Sequence, residues 1–497
     1  VSEGVAGVKP PMKRLLVNTF VYTLGEVALQ ILTVVFMPLL TRFLSPGDLG
    51  RYSLVTMVVS VLAHVYNPAL HGAVTRFYYE HEQDAAARRR FQGTIVTFLL
   101  GWGALLTLVY ALIGPLVLPR VLPSLDFASF GWFIPVIAGL GVLGVVPTAA
   151  WAASERSKAF IGATLLSSTV NLGGSLLFVA VFGMAVHGLL WGRTLSLSIL
   201  AIPYLIYISR HIGLSFDRAL LARALRFSVP LVPHLLAHWV LNASDRWLIE
   251  RHGGTAAVGI YVASYAFIDA VNLLASSMNR AWVPIFTRSF ADRSQHPLVA
   301  RSITYFVVVV AGVATTLTVL SPTLVQLFFA PAYAAAADLA PVLALGGLAQ
   351  GLYYVYVAVL FFHARNGILP VITIFAGVIN VVLNLIWLPS YGILGAAWAT
   401  LIGYLVLVIG VRAASRRIAR LPFETARLTR LALVCVAVIA AGLAIDRVAV
   451  GWAALGVKIA LLLLGAGALF AMGFFARPEP AAPAGDSGAS PGSGAAA

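Results

Sequence analysis

The sequence predicts an all-α integral membrane protein. About fourteen transmembrane helices are expected, as two parallel six-helix repeats around a central cavity plus two C-terminal helices. Three observations carry this. Of the 497 residues, 60% are hydrophobic and only 10% charged, against about 25% charged in a soluble domain. Apolar segments long enough to cross a bilayer, which takes about 20 residues, recur along the chain with basic residues gathered in alternate loops. A pattern of polar and small residues repeats at an offset of 209 residues.

The spans run approximately over 15–41, 52–75, 92–117, 130–152, 160–183, 186–209, 227–250, 258–281, 302–322, 338–362, 368–388, 393–413, 429–446 and 452–475. The first segment, Leu15 to Leu44, is not apolar all round. Asn18, Tyr22, Glu26 and Gln30 recur every four residues, which puts them on one helix face. Such a stripe suits a helix lining a watery cavity or a polar bundle interior. The segment Phe227 to Glu250 carries a similar one, with His234, His238, Asn242 and Asp245, then Arg246. One polar-faced helix in each half implies two bundles facing a shared cavity.

The charges set the orientation. With the N-terminus in the cytoplasm, 25 of the 33 Lys and Arg fall in inside loops and 6 outside, and Arg193 and Lys458 stay within spans. That is the positive-inside bias, and a missed span would have inverted every later loop. The net charge of +15 therefore reads as membrane orientation, and no nucleic-acid partner is expected. The expected organisation is a cytoplasmic N-terminus over 1–14 and an N-terminal bundle over 15–209. A linker follows over 210–226, then a C-terminal bundle over 227–413, a basic cytoplasmic loop over 414–428 and two extra helices over 429–475. The remainder, 476–497, is Ala, Gly, Pro and Ser, and is expected to be disordered. Cys435 is the single cysteine, so neither a disulfide framework nor a cysteine metal site is expected. No cleavable leader is expected, because Glu26 and Gln30 interrupt the first segment. Lys458 can snorkel to the outer interface.

The repeat is explicit. Asn171, Gly183, Gly188 and Trp191 answer Asn380, Gly392, Gly395 and Trp398, with spacings of 12, 5, 3 against 12, 3, 3. The 209-residue offset holds at Asn171/Asn380, Gly183/Gly392 and Gly50/Gly259. Six helices per copy give both copies the same orientation, related by a pseudo-two-fold axis along the membrane normal. The glycines are expected at turns or close helix contacts, and Asn171 and Asn380 in hydrogen bonds between helices.

Leu40-Thr41-Arg42-Phe43-Leu44-Ser45-Pro46-Gly47-Asp48-Leu49-Gly50-Arg51-Tyr52 resembles the first loop of bacterial oligosaccharide and polysaccharide flippases. These belong to the superfamily that also holds multidrug and toxin exporters and the lipid II flippase. Ala73-Val74-Thr75-Arg76-Phe77-Tyr78-Tyr79-Glu80 is similar too, as are Ile379 to Leu385 and Tyr391 to Thr400. The resemblance covers about 15–475 and identifies the superfamily better than the substrate. It implies export of an undecaprenyl-pyrophosphate-linked glycan across the bacterial inner membrane, with glycan polymerase or assembly proteins as further partners. Lipid II flippases usually carry arginines in the first helix and within the second. Here Glu26 and His64 occupy those helices, which argues against lipid II.

Ionisable residues at membrane depth cost about 2.5–3.5 kcal/mol on insertion scales, so their default reading is functional. Arg193 suits a pyrophosphate, because guanidinium pairs phosphate bidentately. The alternative is an ion pair with Glu26 or Asp269. Arg42 and Arg246 end the first helix of each half and either guide the head group or cap helix C-termini. His64 joins these as a substrate-facing candidate. His64, His234 and His238 are also candidate proton carriers, or else hydrogen-bonded packing residues. Glu26 and Asp269, near the midplane by span count, are candidates for ion coupling. No metal site is expected, because no acidic or cysteine ligand accompanies the two histidines of the seventh span. Nor is a cofactor, though a proton or sodium gradient is a candidate driving force. A cation-coupled drug exporter remains open on Glu26 and Asp269. A glycan polymerase or ligase would want a sizeable outside loop or an acidic catalytic motif, and no Gly-rich phosphate loop supports ATP hydrolysis. The chain therefore reads as a transporter rather than an enzyme.

Overall fold

The computed structural model describes residues 36–474 except 82, 155 and 473. Most of the first span, including Asn18, Tyr22, Glu26 and Gln30, lies outside the described residues, as does 476–497. Helix α1, Pro46–Tyr66, begins at a capping box. The Ser45 hydroxyl accepts from the Asp48 amide at 3.2 Å, and the Asp48 carboxylate accepts from the Ser45 amide at 3.3 Å, satisfying two orphan donors at once. The span breaks at Asn67-Pro68, where proline cannot continue the ladder. It resumes as α2, Leu70–Glu80, capped by Asn67 Oδ1 on the Leu70 amide at 3.0 Å.

Helix α3, Ala85–Val121, is capped by Asp84. The fourth span divides into α4, Phe133–Val142, and α5, Val145–Ala153. Helices α6, Ser157–Leu176, and α7, Ala185–Tyr207, complete the first half. The linker forms α8, Arg218–Ser228, capped by Asp217. It is tied to the N-terminal half by Arg90–Asp217 at 2.9 Å and Arg223–Glu80 at 2.5 Å. The Leu220 amide, then that of Ala219 and the Arg90 guanidinium, hold the Asp217 carboxyl below its usual value.

The second half opens with α9, Val232–Phe290, followed by α10, His296–Phe328, α11, Ala336–Phe362, and α12, Leu369–Ile418. Helices α9 and α12 each double back at a glycine with positive φ, Gly254 at 73° and Gly392 at 57°. The described residues hold eleven helices long and apolar enough to span. Two of them cross twice, so thirteen of the fourteen expected spans are accounted for. Helices α13, Thr425–Ile445, and α14, Gly451–Ala471, are the two C-terminal additions.

The repeat holds in three dimensions. Gly183 and Gly392 both take positive φ, 64° and 57°, at equivalent turns. The halves also meet through the repeat. A Cβ on Gly50 would collide with the Thr255 carbonyl, and one on Gly259 with the Pro46 carbonyl. The same offset relates Pro46 to Thr255, so the pseudo-two-fold axis passes between the two glycines. Around them the halves clasp: Ala330 N–H donates to Thr41 Oγ1 at 3.3 Å, and Ser124 N–H to Glu250 Oε1 at 3.3 Å. The Trp247 indole donates to the Val121 carbonyl at 3.1 Å and the Tyr333 hydroxyl to that of Leu44 at 3.1 Å. We call this the glycine end, and the opposite one the linker end.

Two sequence expectations are corrected. Among the described residues, Asn171 and Asn380 form no hydrogen bonds between helices. Asn171 Oδ1 and Asn380 Nδ2 are without partners, and Asn380 accepts only from Asn384, one turn along its own helix. Gly403 explains the placement of Asn380, since a Cβ on Gly403 would sit 3.1 Å from the Asn380 Cβ, and helices this close leave the amide little room to reach across. Lys458 does not snorkel. It is fully buried, with Nζ 2.5 Å from Asp446 and 3.0 Å from Thr323 Oγ1, so the charge is met by a carboxylate inside the protein rather than by water.

Candidate translocation site

The polar stripe on the first part of α9 turns inward and meets the second part of the same helix and α12. His238, Asn242 and Asp245 recur at helical spacing, so they share a face. Asn242 Nδ2 lies 2.9 Å from His238 Nδ1, and Asn242 Oδ1 accepts from the Tyr404 hydroxyl at 2.5 Å. Tyr404 in turn meets the Tyr265 hydroxyl at 3.0 Å. One turn along, Asp245 Oδ2 accepts from the Tyr261 hydroxyl, which lies 3.0 Å from Thr400 Oγ1.

Asp245 is 1% exposed. A buried carboxylate is tolerated when its lone pairs are satisfied, and here the backbone amide of Arg246 supplies the second donor at 2.8 Å. That detail matters. Asp245 accepts a hydrogen bond from the amide of Arg246, and the guanidinium itself forms no hydrogen bond or ion pair among the described residues. The guanidinium carbon lies 5.5 Å from the centre of the Tyr265 ring, and Nε is buried with no partner. Among the described residues no carboxylate is within ion-pair distance of it. Asp269 lies one helical turn beyond Tyr265. Asp269 is exposed, although the neighbouring Ile268 and Tyr265 are buried. Its carboxylate therefore faces open space from within the helical array.

The remaining sequence candidates are scattered. Arg193 lies half-buried on α7 with Nε unpartnered. It forms no ion pair among the described residues, so pairing with Asp269 is not found, and Glu26 lies outside them. Arg42 is exposed at the glycine end. His64 is half-buried in the last turn of α1, one turn from Ser60, whose hydroxyl accepts from the Trp239 indole at 2.9 Å. The side chain of His234 lies outside the described residues. The structure thus joins Arg246 and His238 through Asn242, Tyr404 and Tyr265, with Asp269 one turn beyond Tyr265, and leaves Arg42, Arg193 and His64 apart from this network. The sequence reading missed Tyr261, Tyr265, Thr400 and Tyr404. The signal available was helical spacing, since Tyr261, Tyr265 and Asp269 recur every four residues.

Comparisons with known proteins agree with this architecture. A family model described as "Polysaccharide biosynthesis protein" matches residues 39–338. No curated protein matches the chain by sequence. Among solved structures, "Lipid II flippase MurJ, inward closed conformation" superposes with a TM-score of 0.73 at 12% identity, covering 91% of this chain and 99% of that one. An inward-facing multidrug resistance MATE family transporter of the MOP superfamily gives 0.63 at 15% identity, covering 80% and 97%. A MOP superfamily transporter from Pyrococcus furiosus gives 0.56 at 15% identity, covering 84% and 98%. The chain shares the fold of these flippase and transporter structures, and it belongs to the polysaccharide biosynthesis protein family.

Proposed function

We propose that the chain flips a polyprenyl-diphosphate-linked oligosaccharide across the bacterial inner membrane by alternating access. The observation carrying this is Arg246, whose guanidinium lies over the buried Tyr265 ring and forms no ion pair among the described residues. A diphosphate in a low-dielectric cavity requires such a partner. The clasped glycine end corresponds to a state closed outward. The arginine-rich linker end then faces the cytoplasm, where the lipid-linked glycan is made, and both termini lie on that side. The diphosphate would enter from the linker end, pair with Arg246 and gain Arg193 as a second cation, while the lipid tail stays in the bilayer. Rocking the halves about the Gly50–Gly259 contact then exposes the site outward. The Asp269 carboxylate can take up a proton or sodium ion, which couples the return step to an ion gradient, and Glu26 would serve likewise from the first half.

The test is transport of a labelled polyprenyl-diphosphate oligosaccharide in proteoliposomes. Arg246→Ala should abolish flipping with the protein still abundant, and Arg246→Lys should restore it only in part, since a point charge replaces a fork. The drug-exporter reading rests on Asp269 as a cation receptor. It predicts that the purified protein drives organic-cation efflux which Asp269→Asn abolishes and Arg246→Ala spares, and that result would replace the flippase reading.

A further inference from the structure

The linker end of α12 carries a pocket that the transport site does not use. A cavity of about 170 Å³ is lined by Arg412, Arg416 and Arg420, with Ser415, Tyr356 and Phe423, a space equal to about six waters. Arg412 and Arg416 are one turn apart on α12, and Arg420 follows just past the helix end at Ile418. All three side chains are exposed, whereas Ser415 between them is 1% exposed. Tyr356 and Phe423 form an aromatic floor, their ring centres 6.0 Å apart.

The charge in this pocket is unanswered. Among the described residues no carboxylate pairs with Arg412, Arg416 or Arg420. The acid nearest in sequence, Glu424, is bonded to Arg427 at 3.0 Å. Depth fixes what stands opposite. The second crossing of α12 leaves Gly392 and runs apolar to Val411, which at 1.5 Å per residue is about 28 Å, close to the hydrocarbon thickness of about 30 Å. Arg412 therefore begins where lipid phosphates lie, with an aromatic surface beside it for the glycerol and first acyl carbons.

We propose that this pocket binds the phosphate of an acidic glycerophospholipid from the leaflet at the linker end. Basic pockets at helix ends recognise such head groups, and two or three guanidinium forks exceed what a diffuse positive surface supplies. The inference is independent of what the chain transports. The competing role for these arginines is to offset the negative end of the helix dipole, which requires neither a pocket nor a lipid.

The experiment uses the full chain purified in a neutral detergent and titrated with phosphatidylglycerol or phosphatidylcholine. Bound lipid is counted by native mass spectrometry and stability followed by thermal shift. Phosphatidylglycerol should be retained as a discrete one-to-one adduct that phosphatidylcholine does not form. The triple variant R412Q/R416Q/R420Q should weaken it by about tenfold or more, while R288Q/R293Q/R417Q, which removes the same charge elsewhere, should leave it unchanged. Equal loss in both triples would overturn the site in favour of general surface charge. So would equal retention of the two lipids. Full protection by millimolar inorganic phosphate or pyrophosphate without lipid would reassign the pocket to a free anion and overturn the lipid. Should the first triple fail to fold, R412K/R416K/R420K decides: it keeps the charge and loses the forks, and undiminished phosphatidylglycerol selectivity there would refute a guanidinium-built site.

Discussion

The two halves share one backbone plan and differ in what it carries. In the second half, Asp245, Arg246, Tyr261, Tyr265 and Asp269 line the α9 hairpin, and Tyr404 and Thr400 close it from α12. The same offset of 209 residues puts Phe36, Met37, Tyr52, Thr56 and Ser60 at the matching places of the first half. From Gly188 and Gly395 onward the offset is 207, so Leu197 answers Tyr404 and Arg193 answers Thr400. The first half has lost the carboxylates and gained one cation where the second has a hydroxyl. The glycines that join the halves are matched one for one. The repeat keeps the joint that lets two bundles work against each other, while at these matched positions both carboxylates lie in one bundle. A site between two repeats need not be symmetric even where the fold is.

The comparison is broken most severely at the joint. Gly259→Leu and Gly50→Leu place atoms where backbone already lies. Overpacking of this kind costs about 1–3 kcal/mol or more, which is about a five- to hundred-fold shift against the clasped state. With Cys435, the single native thiol, replaced, cysteines at Thr41 and Ala330 should crosslink readily in the parent and poorly in either variant. Undiminished crosslinking would show that the glycines are not the joint.

A second effect separates the two halves. Tyr261→Phe deprives buried Asp245 of a donor and should lower stability by about 1–3 kcal/mol, whereas Tyr52→Phe, its counterpart, should stay within about 0.5 kcal/mol. Thermal denaturation in detergent measures both, and equal losses would mean that the first half hides a network of its own. Between these in mechanism stands Lys458. Lys458→Met leaves Asp446 partly buried without its cation and should destabilise, and adding Asp446→Asn should recover most of the loss.

The smallest effect lies in the linker. Because the Asp217 carboxyl is held below its usual value, its stabilising contribution is complete above the ordinary carboxylate pKa of about 3.9. That contribution disappears as pH falls through the lower folded value. Asp217→Asn should therefore speed protease cleavage at α8 slightly at neutral pH, and the difference from the parent should vanish in acid.

Much of this fold was legible. Apolar length located the spans, and matched glycines located both the repeat and its turns, because a left-handed turn at Gly183 or Gly392 and a backbone contact at Gly50 or Gly259 demand that residue wherever they occur. The site was legible only in part. Asp269 and His238 stood out because ionisable groups at membrane depth are rare, and Arg246 because it ends the first helix of its half. Tyr261, Tyr265 and Tyr404 did not, since a tyrosine in an apolar helix looks the same whether it packs or bonds. Lys458 was misread for a related reason: its partner Asp446 comes from another helix.

By itself, then, the sequence determined the class, the repeat and the number of crossings, since hydropathy and chain reversal are properties of short stretches. Only the tertiary structure decided which polar groups answer one another. Asp245 is satisfied by an amide one residue away and a tyrosine sixteen residues on, and Arg246 forms no ion pair among the described residues. The pairing depends on how two crossings of α9 lie against α12, a matter of packing that no local pattern encodes.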